Sequence, residues 1–171
     1  MTWLIRPFRM MLKAVLGEAK AGQLALGFAF GLWIGMVPKG NLTAIALGII
    51  MASTRANLGI ATATILLTSL ASLWLDPLFD GVGAFLLSHP ALQGVWTQLY
   101  NLPVMPWTGF NNSIVLGSFL IGLILVYPSY HYSKPWLKKY SEVVGKWARR
   151  YWLTRLLMGV EWADRLTVTG A

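Results

Sequence analysis

Apolar residues gather along this chain into four runs, at 21–37, 42–54, 58–75 and 113–130, set apart by short polar breaks. Read as helices at about 1.5 Å per residue, the first would reach about 25 Å and the second about 20 Å, short of a ~30 Å hydrocarbon core. The third and fourth would reach about 27 Å each, enough to span with modest help from their flanks. The first run stops at Pro38, Lys39, Gly40 and Asn41, and ahead of the break Gly27, Gly31 and Gly35 fall four apart on one helical face. Two designs fit the first two runs: a pair of short, distorted spans, or one re-entrant hairpin with its tip at 38–41. Non-helical backbone at membrane depth persists only where protein or water satisfies its polar groups. The glycine face offers that shelter, because a second helix can approach it until van der Waals contact holds the pair. Gly48 on the second run is the expected counterpart.

The stretch from 76 to 112 is apolar and aromatic, broken by Pro77, Pro90, Pro103 and Pro106. Trp96, Tyr100, Trp107 and Phe110 suit the interfacial aromatic belt. The expected form is an outer loop lying on the membrane and facing a partner, with short helices at 79–88 and 91–99. Asp76-Pro77 reads as the end of the third run, Asp76 capping the next helix. Either Asn111 or Asn112 would cap the fourth run. At the ends, 7–20 carries Phe8, Met11, Leu12, Val15 and Leu16 at helical spacing. Beyond residue 130, Trp136, Tyr140, Val143, Trp147 and Tyr151 form one face, with Lys138, Lys139, Lys146, Arg149 and Arg150 on the other. Both segments are expected to be amphipathic helices anchored in the plane of the membrane surface. The chain thus divides into an N-terminal interfacial helix at 1–20, a membrane domain at 21–130, and basic amphipathic helices at 131–171.

Composition sharpens the picture. The chain has 171 residues, 56% apolar and 12% charged, against about 25% charged in an ordinary soluble domain. A soluble fold of this size could not hide so much apolar surface. The fold expected is therefore an all-α integral membrane protein: two full spans plus the glycine-rich re-entrant or short-span hairpin, flanked by interfacial helices. The net charge of +8 would suit nucleic acid were it spread along the chain. Instead, of 14 Lys and Arg, four precede residue 21 and eight follow residue 133. That placement points to anionic phospholipid headgroups at two cytoplasmic ends and away from nucleic acid. With both termini cytoplasmic the number of crossings is even. Arg55 then lies on the cytoplasmic side and Asp76, Asp80 and the loop to Asn112 on the other. The first twenty residues mix charge with apolar groups and are not read as a cleaved signal peptide.

Chemistry-bearing residues are few. With no cysteine there is no disulfide, thiolate metal site or cysteine nucleophile. His89 and His131 fall in loops on opposite sides of the expected membrane, so neither a metal site nor a Ser-His-Asp set can be drawn. No metal, cofactor or catalytic residue is expected. Asp76 and Asp80 stand one turn apart, but a capping role for Asp76 explains them better than acid–base work. Lys39 is the sharpest residue. At membrane depth it would mark function; at the outer interface it would merely snorkel. The residues alone leave both readings open. Arg55-Ala56-Asn57 reads as a cytoplasmic anchor at a turn. Thr64, Thr68 and Ser72 align on the third run and read as a helix-packing face.

The ordered series "LGFAFGLWIGMVPKGNL", "TRANLGIA" and "DPLFD", followed by "NLPVMPWTGFNNSIVLGS", resembles the bacterial family known as domain of unknown function 2062. The likeness runs from about residue 21 to residue 128. Where the family often has Asn-Pro, this chain has Asp76-Pro77. The resemblance implies an integral inner-membrane protein and no reaction. A bundle with so few spans is small for a self-sufficient transporter. The expectation is thus a non-enzymatic inner-membrane subunit that joins membrane or periplasmic partners, or copies of itself, in lipid transport across the envelope. The glycine face and the outer loop would meet those partners. The alternative is a channel or transporter built by oligomerisation, with Lys39, Asn41 and the Thr/Ser face of 58–75 lining the path.

Overall fold

A computed structural model of the protein describes residues 20–148, with side chains described through residue 139. Among the described residues there is no strand. The elements are α1 (Ala21–Met36), α2 (Leu42–Ala52), α3 (Leu58–Ser88), a 3-10 turn (Pro90–Leu92), α4 (Gln93–Tyr100), α5 (Met105–Thr108) and α6 (Ser113–Ala148). Three asparagines start α2, α3 and α6 by accepting orphan backbone N–H groups. Asn41 Oδ1 takes Ala44 N–H at 2.8 Å, Asn57 Oδ1 takes Ile60 N–H at 3.1 Å, and Asn112 Oδ1 takes Ile114 N–H at 2.9 Å. Of the Asn111–Asn112 pair, Asn112 is the cap.

Two helices are longer than the apolar pattern predicts. α3 continues for 31 residues through Pro77, so the run at 58–75 and the short helix expected at 79–88 are one element. Asp76 lies inside it and caps nothing. A proline in a helix removes one hydrogen bond and crowds the preceding turn. The turns on both sides are held from outside: Ser72 is buried before it, Phe79 and Gly83 after it. The loop expected at 76–112 accordingly begins near His89, and the helix expected at 91–99 appears as the 3-10 turn and α4. In the same way α6 runs through Pro128 and Pro135. The basic aromatic segment after residue 130 continues α6 through Ala148 in place of the separate in-plane helix. The expected helix at 7–20 lies outside the described residues, apart from Lys20.

Glycine contacts fix how the helices run. A Cβ on Gly27 would strike the Asn57 carbonyl; on Gly31 it would lie 2.7 Å from Ala61 O and 2.8 Å from Thr64 Cβ; on Gly35, 2.6 Å from Thr68 Cβ. Residue numbers rise together on both sides, so α1 and α3 are parallel. The start of α1 is stitched to the start of α3 by Asn57 N–H to Gln23 O, 2.9 Å. α2 must therefore carry the chain back to the end where α1 began. α6 runs the other way: a Cβ on Gly22 would sit 3.5 Å from Tyr130 Oη, while Trp33 meets Gly122 near the opposite end of α1. A second glycine crossing joins α3 to α6, where Gly83 lies on the Ser113 backbone and Gly117 on the Phe79 carbonyl. Gly48 faces open space, so it is not the counterpart of the glycine face. That counterpart is α3.

α1 is the core. Ten of its 16 residues are buried, against two of the 11 in α2. Phe30, Trp33, Ile34 and Val37 pack with Leu47 of α2 and Val115 of α6. Trp33 stacks on Phe30 at 6.3 Å and leans on Phe119 at 5.3 Å, and its Nε1 donates to Phe119 O at 2.9 Å. Outside this centre the surface stays apolar. Leu67, Leu70, Leu73 and Trp74 on α3 and Ile124 and Tyr127 on α6 are exposed, Trp74 by 88%. α3 and residues Ser113–Lys139 of α6 are long and apolar enough to cross a membrane.

The two kinds of glycine predict opposite outcomes. Gly83→Val and Gly117→Val force side chains into the facing backbone and are expected to cost at least ~1–3 kcal/mol, the usual range for overpacking. Gly48→Ala and Gly81→Ala meet nothing within 4 Å and are expected to be neutral or stabilising by up to ~1 kcal/mol through helix propensity. Thermal unfolding in detergent, followed by far-UV circular dichroism, checks both pairs.

Candidate functional site

The hairpin tip between α1 and α2 gathers most of the polar chemistry inside the apolar body. Pro38 ends α1, since the residue before it is driven out of helical geometry. Gly40 takes φ of 95°, a left-handed conformation suited to glycine. Lys39 folds back on the helix it follows: its Nζ donates to Ile34 O at 2.6 Å, Val37 O at 2.5 Å and Gly35 O at 3.3 Å. An ammonium on the last carbonyls of a helix meets both the orphan acceptors and the negative end of the macrodipole. Neither sequence reading of Lys39 anticipated this, though a lysine three residues past a helix end is the signal for it. Asn41 Nδ2 closes the turn on Pro38 O at 2.8 Å while its Oδ1 caps α2.

The tip is also joined to the segment ahead of α6. Gly109, at φ 75°, lies against Asn41, where an added Cβ would stand 3.3 Å away. Thr43 is buried and donates to Thr108 O at 2.8 Å. Phe110 of the same segment packs on Phe119 at 5.1 Å between centroids. Phe110 therefore belongs to the interior. Trp96 is likewise engaged within the chain, donating from Nε1 to Leu86 O at 3.0 Å. Of the four aromatic residues expected to face a partner, Trp107 stands out most, 74% exposed. Burial raises the pKa of the Tyr100 phenol, and the Asn111 backbone partly opposes the rise.

Below the tip, the small-residue faces are consumed by packing. Thr64 and Thr68 seat against Gly31 and Gly35, and Ser69 Oγ donates to Gly35 O at 3.2 Å. Thr64 and Ser72 turn their own hydroxyls to Ile60 O and Ser69 O, at 2.8 and 2.9 Å. Asp80 accepts from Ser113 Oγ, linking α3 to the start of α6. His89 Nδ1 accepts Ala91 N–H at 3.3 Å, and His131 stacks on Tyr127 and meets Tyr132 edge-on. Among the described residues, no group of three His, Asp or Glu side chains converges on a point.

Two of the hollows among the described residues are lined mainly by apolar side chains. One, about 460 Å³, runs along α6 past Tyr132 and the exposed Trp136, with Phe28 of α1 on its other wall. Lys138 and Lys139 are exposed on the same stretch; the side chains of Tyr140 and Trp147 and all of Arg149, Arg150 and Tyr151 lie outside the described part. The other, about 310 Å³, lies beneath α2 between Leu47, Trp33, Phe110 and Phe119. Sequence reasoning missed Trp33, Gly83, Gly117 and Thr43. Glycines inside apolar helical runs were a usable signal for two of them, while the Thr43–Thr108 link spans 65 residues and left no local trace.

This arrangement of a capped break and a glycine-seated helix spans the region matched by a known bacterial family. The family described as "Uncharacterized protein conserved in bacteria (DUF2062)" matches residues 5–144. The chain belongs to this family. An uncharacterized protein of Treponema pallidum (strain Nichols) is 24% identical over 127 residues, which cover 74% of this chain and 78% of the relative. No solved structure matches the chain. The DUF2062 region contains α1 through α5 and most of α6, with the tip and both glycine crossings inside it.

Lys39→Met keeps an apolar stem and removes the ammonium from the α1 carbonyls. The expected loss is ~1–3 kcal/mol, the range for a hydrogen bond to a charged group, with Lys39→Arg retaining most of the stability. Thermal unfolding of the two variants in one detergent checks this.

Proposed function

We propose that the protein is a non-enzymatic inner-membrane subunit whose short α1–α2 hairpin thins the bilayer beside it, in the service of lipid transport across the envelope with membrane or periplasmic partners. One observation carries the reading. The Thr43–Thr108 bond ties the hairpin tip to the segment that leads into α6, while Gly22 lies by Tyr130 at the other end of the same stretch. The hairpin therefore covers the distance that α6 covers between Ser113 and Tyr130. It does so with helices of 16 and 11 residues, about 24 and 17 Å long. Of the two designs open to the sequence, a pair of short spans fits this better than a re-entrant loop. Apolar helices shorter than a ~30 Å hydrocarbon core are matched by local thinning of the bilayer.

What shares an end supports cytoplasmic termini. Lys20, Arg55 and Lys134 fall near the Gly22–Tyr130 end, and Asp80 lies at the Ser113 end. Cations at one end favour cytoplasmic termini under the positive-inside rule. Apolar residues exposed around α3 and α6 suit lipid as their solvent, since soluble monomers seldom expose contiguous apolar patches beyond a few hundred Å². A channel is less well supported. Lys39, Thr64 and Thr68 are engaged in contacts within the chain, which leaves the proposed path without its polar lining.

The chain contains no cysteine, so single cysteines report accessibility without background. In intact spheroplasts, Gly40→Cys and Gln93→Cys are expected to react with a membrane-impermeant maleimide, while Arg55→Cys reacts only after lysis. Gly40→Cys protected until lysis would contradict the short-span hairpin. A photo-crosslinking amino acid at Trp107 is expected to trap a protein partner; adducts with bulk lipid alone would remove the subunit reading.

A further inference from the structure

The hollow beneath α2 is walled by Leu42, Ala46, Leu47 and Ile50 on one side and by Trp33, Phe110 and Phe119 on the other. Its few polar groups are already satisfied from within the wall. Thr43 Oγ1 donates to Thr108 O, Thr108 Oγ1 donates to Met105 O at 2.6 Å, and Trp33 Nε1 donates to Phe119 O. A water needs two to four polar partners to reside in a cavity, and apolar cavities without them stay dry. The lining thus has nothing to offer a polar ligand or an ordered water. Its volume of about 310 Å³ is room for on the order of ten methylene-sized groups, at about 30 Å³ each, the share of one water in the liquid.

From this wall chemistry, together with the position of the hollow, we infer that the crevice under α2 holds one acyl chain of a membrane phospholipid. Ile50, on the wall, is 50% exposed, and Ile45 and Ile49 on the same helix are 58% and 62% exposed. The crevice therefore opens through apolar side chains onto the surface that, on the membrane reading above, faces hydrocarbon. Phospholipid chains are the solute at highest local concentration there. α2 is suited to admit a chain because it is the least embedded of the longer helices. It buries only Thr43 and Leu47, with Ala44 and Met51 partly buried against the core, so most of its side chains are left to face outward and border the crevice. A chain lodged there would be drawn beside the thinned region, and the hairpin would become a lipid-binding element as well as a spacer.

The test uses the full-length protein in nanodiscs containing phosphatidylcholine with a diazirine on one acyl chain. After irradiation, adducts are mapped by peptide mass spectrometry. The expected result is a chain adduct on the 42–50 or 105–119 peptides, approaching one lipid per protein. Ala46→Trp and Ile50→Trp, which fill the crevice or its mouth, are expected to reduce that adduct at least tenfold. Ile49→Trp is exposed and does not line the crevice, and it should leave the adduct unchanged. Adducts confined to the outer leucines of α3, such as Leu67, Leu70 and Leu73, or equal labelling in all three variants, would overturn the proposal. Failure of the membrane reading itself would show separately, as release of the protein from membranes by alkaline carbonate.

Discussion

The structure depends on one close approach: the glycine face of α1 lies directly on the backbone of α3. On the membrane reading proposed above, no hydrophobic force favours association between apolar helices, and attraction comes from packing at short range. Gly27, Gly31 and Gly35 remove the side chains that would hold the two backbones apart, and Asn57, Ala61, Thr64 and Thr68 fill the space they leave. The contact also orients. Because it matches rising numbers on both helices, α3 must start where α1 starts, and the intervening α2 has to return. Everything at the tip follows from forcing a reversal after a helix of only 16 residues.

A reversal inside an apolar body leaves carbonyls and N–H groups without partners, each costly to bury. The tip meets this demand with its own side chains. Lys39 covers the carbonyls that end α1, Asn41 covers the N–H groups that start α2, and Thr43 reaches across to Thr108. Lys39 in this setting is a cap, and its charge is used on the spot. The same logic governs the partner faces. Groups that looked available for lining a path or meeting another protein, the glycine stripe and the Thr/Ser stripe, are spent on each other.

Much of this was legible in the chain. The four apolar runs appear as helices, the break at 38–41 is a true reversal, and the glycine face is a packing face, because each depends on local spacing. What spacing could not reveal was the partner. Gly48 looked equivalent to the other glycines yet meets nothing, since α2 packs through Thr43, Leu47 and Met51, a face that does not include it. Pro77 looked like a boundary but sits inside a helix, because buried neighbours such as Ser72, Phe79 and Gly83 hold the turns around it. The Gly83–Gly117 crossing depends on two segments more than thirty residues apart, and Asp76 lost its expected capping role with the same misplaced boundary. Family membership followed from the ordered motifs.

The parallel seating of α1 on α3 is most directly tested by distances in the absence of any competing thiol. With nitroxides at Gly40→Cys and either Leu58→Cys or Leu70→Cys, double electron–electron resonance in nanodiscs should give the shorter distance to position 70, because Gly35, near the tip, rests on Thr68 and Ser69. A shorter distance to position 58 would mean that α1 and α3 are antiparallel, and the hairpin, its caps and the thinned span would all have to be abandoned.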